Sequence, residues 1–179
     1  MVTGAVLDRE LGAELDVVLA RKLRAPGRPE VAVGAVAEDG RVYLNDFGQR
    51  CRETMRGYLA RERRLQLAEV RRRRQLLCAA RPPAPAEGRS VIVTDDGIAT
   101  GATMIAALQA VKARRPCEVI VAVPVAPPDS LKEVRRWCDE VVCLLAPEEL
   151  VVAAPRVRVR GVYLSSLASG PRHRRGAAL

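Results

Sequence analysis

Val91-Ile92-Val93-Thr94-Asp95-Asp96-Gly97-Ile98-Ala99-Thr100-Gly101-Ala102-Thr103 is the stretch that decides the fold. Val91 to Thr94 is a short apolar, β-branched run, the pattern of a strand covered on both faces. Asp95 and Asp96 follow at its carboxyl end, where open α/β sheets bind ligands. Gly97 to Thr103 then supplies two glycines, two alanines and two threonines. A loop of that composition lets backbone N–H groups approach an anion closely. The helix expected over Ala102 to Arg114 adds its positive N-terminal end. Loop and helix start therefore make a phosphate cradle. The adjacent carboxylates can accept hydrogen bonds from sugar hydroxyls, directly or through a hard cation. One monophosphorylated sugar satisfies both halves. An N-capping aspartate would explain one carboxylate, but not two followed by Ala-Thr-Gly-Ala-Thr. No Gly-Lys-Ser/Thr follows, which excludes a Walker-type loop, and the Gly-x-Gly-x-x-Gly spacing of a dinucleotide fingerprint is absent.

Working outward, strands alternate with helices. Val2 to Leu11 reads as a short helix and Leu15 to Ala20 as a strand. Arg21 to Glu30, with Pro26, Gly27 and Pro29, reads as a loop. Val31 to Ala37 and Arg41 to Leu44 form a β-hairpin around Asp39-Gly40. Asp46 to about Ala79 is expected to be helical, with an interrupted stripe of Leu59, Leu65, Leu67, Val70, Leu76 and Leu77 and a charged remainder that includes Arg71 to Arg74. Arg71 to Arg74 reads as a solvated face, the alternative being an RNA or phosphate patch. Arg81 to Arg89 is a Pro-rich linker. Val119 to Val125, Ser130 to Cys138 and Val141 to Leu145 read as strand, helix and strand. The fold class that follows is α/β: a doubly wound, mainly parallel sheet with flanking helices and a hairpin/long-helix insertion. Residues 1–150 form this domain. Residues 151–179 hold no acidic residue and are basic with Gly and Pro, the composition of an unfolded tail.

The 179 residues make one domain of ordinary size, with 49% apolar and only 3% aromatic residues. No window approaches the ~20 apolar residues of a membrane span, and no signal peptide is expected. Cys51, Cys78, Cys117, Cys138 and Cys143 show neither Cys-x-x-Cys nor metal-ligand spacing, which suits reduced thiols in the cytoplasm. The formal charge of +9 favours an anionic partner. The charge clusters at Arg61 to Arg74 and Arg172 to Arg175, away from the aspartate stretch. His173, the one histidine, lies in that last cluster and is not expected to be catalytic. Trp137 reads as core.

Val91 to Thr103 resembles the phosphoribosyl pyrophosphate (PRPP) motif of the type I phosphoribosyltransferases: four apolar residues, two acids, two spacers and Thr-Gly-x-Thr. The resemblance implies that Asp95 and Asp96 face the ribose. It implies that Gly97, Ala99, Thr100, Gly101, Ala102 and Thr103 belong to the loop that holds the 5′-phosphate. Arg21-Lys22 resembles the family's dipeptide that, with a flexible loop, handles pyrophosphate; here the loop would be Leu23 to Glu30, with Arg24 and Arg28. Cations at that point stabilise charge growing on the departing pyrophosphate, and a closing loop would shut out water. The set Arg21-Lys22-x-x-x-Pro26-Gly27-x-Pro29-Glu30, followed by an apolar Gly-Ala strand, is similar to a bacterial subgroup of phosphoribosyltransferase-like proteins whose substrate the motif does not reveal. The likeness covers about Leu7 to Leu150.

The resemblance implies a transferase that moves the 5-phosphoribosyl group of PRPP to a nucleobase-like nitrogen acceptor. Arg21, Lys22, Asp95 and Asp96 would be catalytic. Mg²⁺ would be held mainly through PRPP, so no dedicated metal-ligand set is expected. Family members carry a strand and a pyrophosphate-binding Gly loop ahead of the first helix, which this sequence lacks, and a different C-terminal end. An inactive PRPP-binding regulatory module is therefore the second reading. An RNA-binding protein is the third, disfavoured because aromatic platforms are missing. The acceptor and the oligomeric state stay open, a homodimer being one alternative.

Overall fold

The computed structural model describes residues 2–78 and 83–148, and the backbone of 161–167. Its elements are α1 (Val2–Leu11), β1 (Glu14–Ala25), β2 (Arg28–Ala37), β3 (Val42–Leu44), α2 (Asp46–Arg50), α3 (Arg56–Cys78), β4 (Ser90–Thr94), α4 (Ala102–Lys112), β5 (Glu118–Val125), α5 (Pro128–Arg135), β6 (Glu140–Leu145) and β7 (Gly161–Leu167). Among the described residues they build one seven-stranded sheet in the order β3-β2-β1-β7-β4-β5-β6.

The α/β class stands. β4, β5 and β6 pair in parallel, as expected of apolar strands joined by crossover helices. The pairings of β1 with β2, β2 with β3, and β7 with both β1 and β4 are antiparallel. Because β7 runs against both of its neighbours, β1 and β4 run the same way. Their carboxyl ends therefore share one edge of the sheet.

Two apolar clusters lie on opposite faces. On one, Val18, Ala20, Ala35, Ala37, Val91 and Val93 pack against Ile105, Leu108 and Val111 of α4. Eight residues of α4 are buried, the pattern of a helix enclosed nearly all round. On the other face, Leu23, Ala25, Val33 and Val36 meet Leu59 and Leu67 of α3. Trp137 packs against the first cluster and meets Tyr43 edge-on at 6.3 Å between ring centroids, in keeping with a core role.

Four local outcomes differ from the sequence reading. Arg21 to Glu30 is not a loop: β1 continues to Ala25 and turns into β2 through Gly27 at φ +69°. The long helix is split, with turns from Cys51 to Met55 between α2 and α3. Arg73 and Arg74 are not simply solvated. Arg73 Nε donates to Glu69 at 2.7 Å. Arg74 donates to the Val17 carbonyl and lies within ion-pair distance of Asp16 and Glu38, which Arg114 also pairs. Lastly, 161–167 of the basic tail forms β7, between β1 and β4. The rest of 151–179, including His173 and Arg172 to Arg175, lies outside the described residues.

Candidate active site

β4 ends at Thr94, and Asp95 and Asp96 step off the sheet edge. Asp95 is largely buried and Asp96 exposed. The Asp96 backbone N–H donates to Asp95 Oδ1 at 2.8 Å, an Asx-type contact that fixes the turn. The loop is then pinned from two sides. Ile98 N–H donates to the Val125 carbonyl at 2.9 Å, tying it to the end of β5, and Ser130 Oγ donates to the Ala99 carbonyl at 2.6 Å, tying it to α5.

Two glycines are needed for this path. Gly97 passes so close to β5 that an added Cβ would lie 3.0 Å from Val125 Cγ1. Gly101 has φ +74°, the left-handed region that only glycine adopts cheaply. Gly101 is also the N-cap of α4 and makes no side-chain cap. A glycine N-cap offers no side-chain acceptor of its own to the first backbone N–H groups of α4, and a helix N-terminus of that kind suits an anion.

Lys22 of β1 joins Asp95, Gly97, Ile98, Ala99, Thr100, Gly101, Thr103 and Met104 in lining one small open cleft. The parallel sense of β1 and β4 puts a lysine and an aspartate from opposite sides of β7 at the same edge. Ala102 is fully buried in the α4-side core, so only its backbone can serve a ligand. Asp96 lies beside the cleft without lining it.

Arg21 points the other way, as alternation along a strand requires. Its Nε donates to Gln66 Oε1 of α3 at 2.7 Å, and a guanidinium nitrogen lies 3.7 Å from Glu69. Burial, with help from the Arg73 charge, lowers its pKa. The Arg21-Lys22 dipeptide is therefore divided between the two faces. Arg24 and Arg28 are also absent from this cleft; they line a second one with Tyr58 and Glu62 of α3. The sequence reading missed these α3 residues, and only the 3.6-residue spacing of Tyr58, Glu62 and Gln66 signalled that they share a face.

Among the described residues no group of three or more His, Cys, Asp and Glu could hold a metal ion. Cys51, Cys117, Cys138 and Cys143 are free thiols, and burial raises the pKa of Cys138. No described helix is long and apolar enough to cross a membrane.

Comparison with known proteins agrees with the fold. Two proteins from strains CDC 1551 and H37Rv of Mycobacterium tuberculosis, both named provisionally as phosphoribosyl transferases, are 41% identical over 139 residues. The match covers 78% of this chain but 31% of each relative, so the chain spans about a third of the length of the curated relatives it matches. The crystal structure of TT1426 from Thermus thermophilus superposes with a TM-score of 0.65 at 43% identity, covering 82% of this chain and 69% of that one. The model of the phosphoribosyl transferase domain matches residues 2–157, and the chain belongs to that family.

Proposed function

We propose that the chain transfers the 5-phosphoribosyl group from PRPP to a nitrogenous base and releases pyrophosphate, as part of nucleotide metabolism in the cytoplasm. The observation that carries this reading is the meeting of Lys22, Asp95 and the 97–103 loop in one cleft. The α4 N-terminus and the loop amides take the 5′-phosphate, the group they suit best by charge and by donor direction. Asp95 and Asp96 accept hydrogen bonds from the ribose hydroxyls. Lys22 stands across β7 from them, towards the pyrophosphate.

In the reaction, a lone pair on the base nitrogen forms the bond to C1. The C1–O bond breaks, its electron pair leaves with pyrophosphate, and the nitrogen loses its proton to solvent. Charge builds on the leaving oxygen, so a cation fixed there is worth more in the transition state than in the ground state. Mg²⁺ typically takes one or two carboxylates plus substrate phosphates. It would therefore be held mainly through PRPP, with Asp95 the carboxylate lining the cleft, and would neutralise charge on the pyrophosphate.

Arg21, held by Gln66 and Glu69, serves this site by fixing β1 against α3 rather than by touching the ligand. The chain should be assayed for base-dependent pyrophosphate release from PRPP, with a panel of purines and pyrimidines. PRPP binding without release with any base would replace the transferase with a PRPP-binding regulatory module.

A further inference from the structure

A second cleft opens between the tip of the β1–β2 hairpin and the start of α3. It is lined by Arg24, Arg28 and Tyr58, together with Glu62, and has a volume of about 230 Å³. It shares no residue with the Lys22–Asp95 cleft. The backbone explains why Arg24 does not follow Lys22 two residues earlier. The β1–β2 register shifts on both sides of Arg24, between Leu23 and Arg24 and between Arg24 and Ala25. Such irregularities re-aim a side chain. Leu23 and Ala25 both pack on the α3 side, and Arg24 N–H donates to Glu62 Oε1 at 3.4 Å.

The cleft is charged and equipped on one pattern. Arg24 and Arg28 make no side-chain hydrogen bond or ion pair among the described residues. Glu62, by contrast, is buried and already engaged: it accepts from Gln66 Nε2 at 3.1 Å as well as from the Arg24 amide. Two exposed guanidiniums against one carboxylate leave a net cationic pocket. Tyr58 adds an aromatic wall, with the Arg61 guanidinium 5.9 Å from its ring centroid. Guanidiniums favour phosphate by their forked donors, and an aromatic face favours a planar ring. The volume lies below the ~300–1,000 Å³ of sites that enclose drug-sized ligands. It accommodates a phosphate and part of one base, not a dinucleotide.

We propose that this cleft binds a nucleoside monophosphate, its phosphate on Arg24 and Arg28 and its base against Tyr58, as a site separate from the one that takes the phosphorylated sugar.

Calorimetric titration of the full chain with AMP and UMP, and separately with inorganic phosphate and adenosine, tests this. A nucleoside monophosphate should bind more tightly than phosphate or nucleoside alone. Arg24→Gln and Arg28→Gln should each weaken it by about tenfold or more, the scale of one hydrogen bond to a charged group. Tyr58→Leu should lower monophosphate affinity to that of inorganic phosphate, and Asp95→Asn/Asp96→Asn, which removes the ribose contacts of the first cleft, should leave binding at this cleft unchanged. Both arginines are exposed, so retained circular dichroism and melting temperature will show that the variants are folded. Binding lost in Asp95→Asn/Asp96→Asn but kept in Arg24→Gln with Arg28→Gln would place the nucleotide in the first cleft and overturn the proposal. Equal affinity for phosphate and monophosphate, or no binding of either nucleotide at millimolar concentration, would also overturn it.

Discussion

Replacing Arg74 with Gln should destabilise the fold, although Arg74 belongs to a run of four arginines that reads as surface. Its side chain is 19% exposed, and those of its partners Asp16 and Glu38 are 9% and 12% exposed. Arg74 donates to the Val17 carbonyl and stands 3.5 Å from Asp16 and 3.8 Å from Glu38. Glu38 in turn accepts from the Leu19 N–H, and Asp16 from the Ala84 N–H. Arg114 pairs the same two carboxylates from the end of α4. The cluster thus ties α3 and α4 together around β1. The substitution removes a charged donor from a shielded carbonyl and leaves two carboxylates with one cation. A hydrogen bond to a charged group is worth ~1.5–3 kcal/mol, and a partly screened pair adds less. The expected loss is ~2–3 kcal/mol, or ~4–12 °C in melting temperature for a domain of this size. Arg71 is exposed and makes no hydrogen bond or ion pair among the described residues, so Arg71→Gln should stay within ~0.5 kcal/mol. Thermal melts and urea titrations of both variants measure the difference. Equal melting temperatures for the two would refute the reasoning. The result also governs any test of RNA binding, because neutralising all four arginines would destabilise the protein as well as remove charge.

Other expectations concern the cleft and the α3 surface. Lys22→Ala should lower the turnover of an active transferase by ~10²-fold with a smaller effect on PRPP affinity, the signature of an interaction made in the transition state, whereas Arg21→Gln should reduce melting temperature more than turnover. The reverse order would show that Arg21 is the cation at the pyrophosphate. Gly101→Ala meets only ordinary contacts, the nearest at 3.5 Å, so its cost is the left-handed backbone alone: ~1–2 kcal/mol, or ~2–8 °C, in a thermal melt. The hydrogen bonds from Arg72 and Arg73 lower the pKa of Glu69 from 4.5 to about 2. A depressed carboxylate stabilises the fold above its unfolded pKa and loses that contribution as pH falls towards its folded one. Glu69→Gln should therefore flatten the stability profile between about pH 4.5 and pH 2, and an unchanged acid limb would contradict the pairing.

The strand–loop–helix unit was legible because each of its parts is local. Val91 to Thr94 has no alternative to burial, Gly101 has few competitors at positive φ, and Ala102 to Lys112 has the periodicity and propensity of a helix. The hairpin at Asp39-Gly40 and the strands β5 and β6 were legible for the same reason. β1 reads too short, ending at Ala20, because Arg21, Lys22 and Arg24 resemble loop residues. Near a sheet edge those side chains reach the cleft, α3 and solvent, and Gly27 turns the chain without ending the pairing. β7 escapes a sequence reading because its basic surroundings outweigh Val162, Tyr163 and Leu164, a β-branched and aromatic run whose strand character depends on partners distant in sequence. The division of Arg21 from Lys22 was implicit in strand periodicity, but only once the strand was known to continue. The engagement of Arg74 was not legible, since Asp16, Glu38 and Arg114 come together only through the packing of α3 and α4 against the sheet.

The central claim is that the Asp95–Thr103 turn holds the ribose 5-phosphate part of PRPP. Calorimetric titration of PRPP with Mg²⁺ into the wild-type chain and into Asp95→Asn/Asp96→Asn tests it directly, with melting curves of both proteins recorded alongside. Bound PRPP should raise the wild-type melting temperature by mass action, and the double variant should keep its fold but lose both the heat of binding and the shift. Equal PRPP affinity in the folded double variant would contradict the assignment.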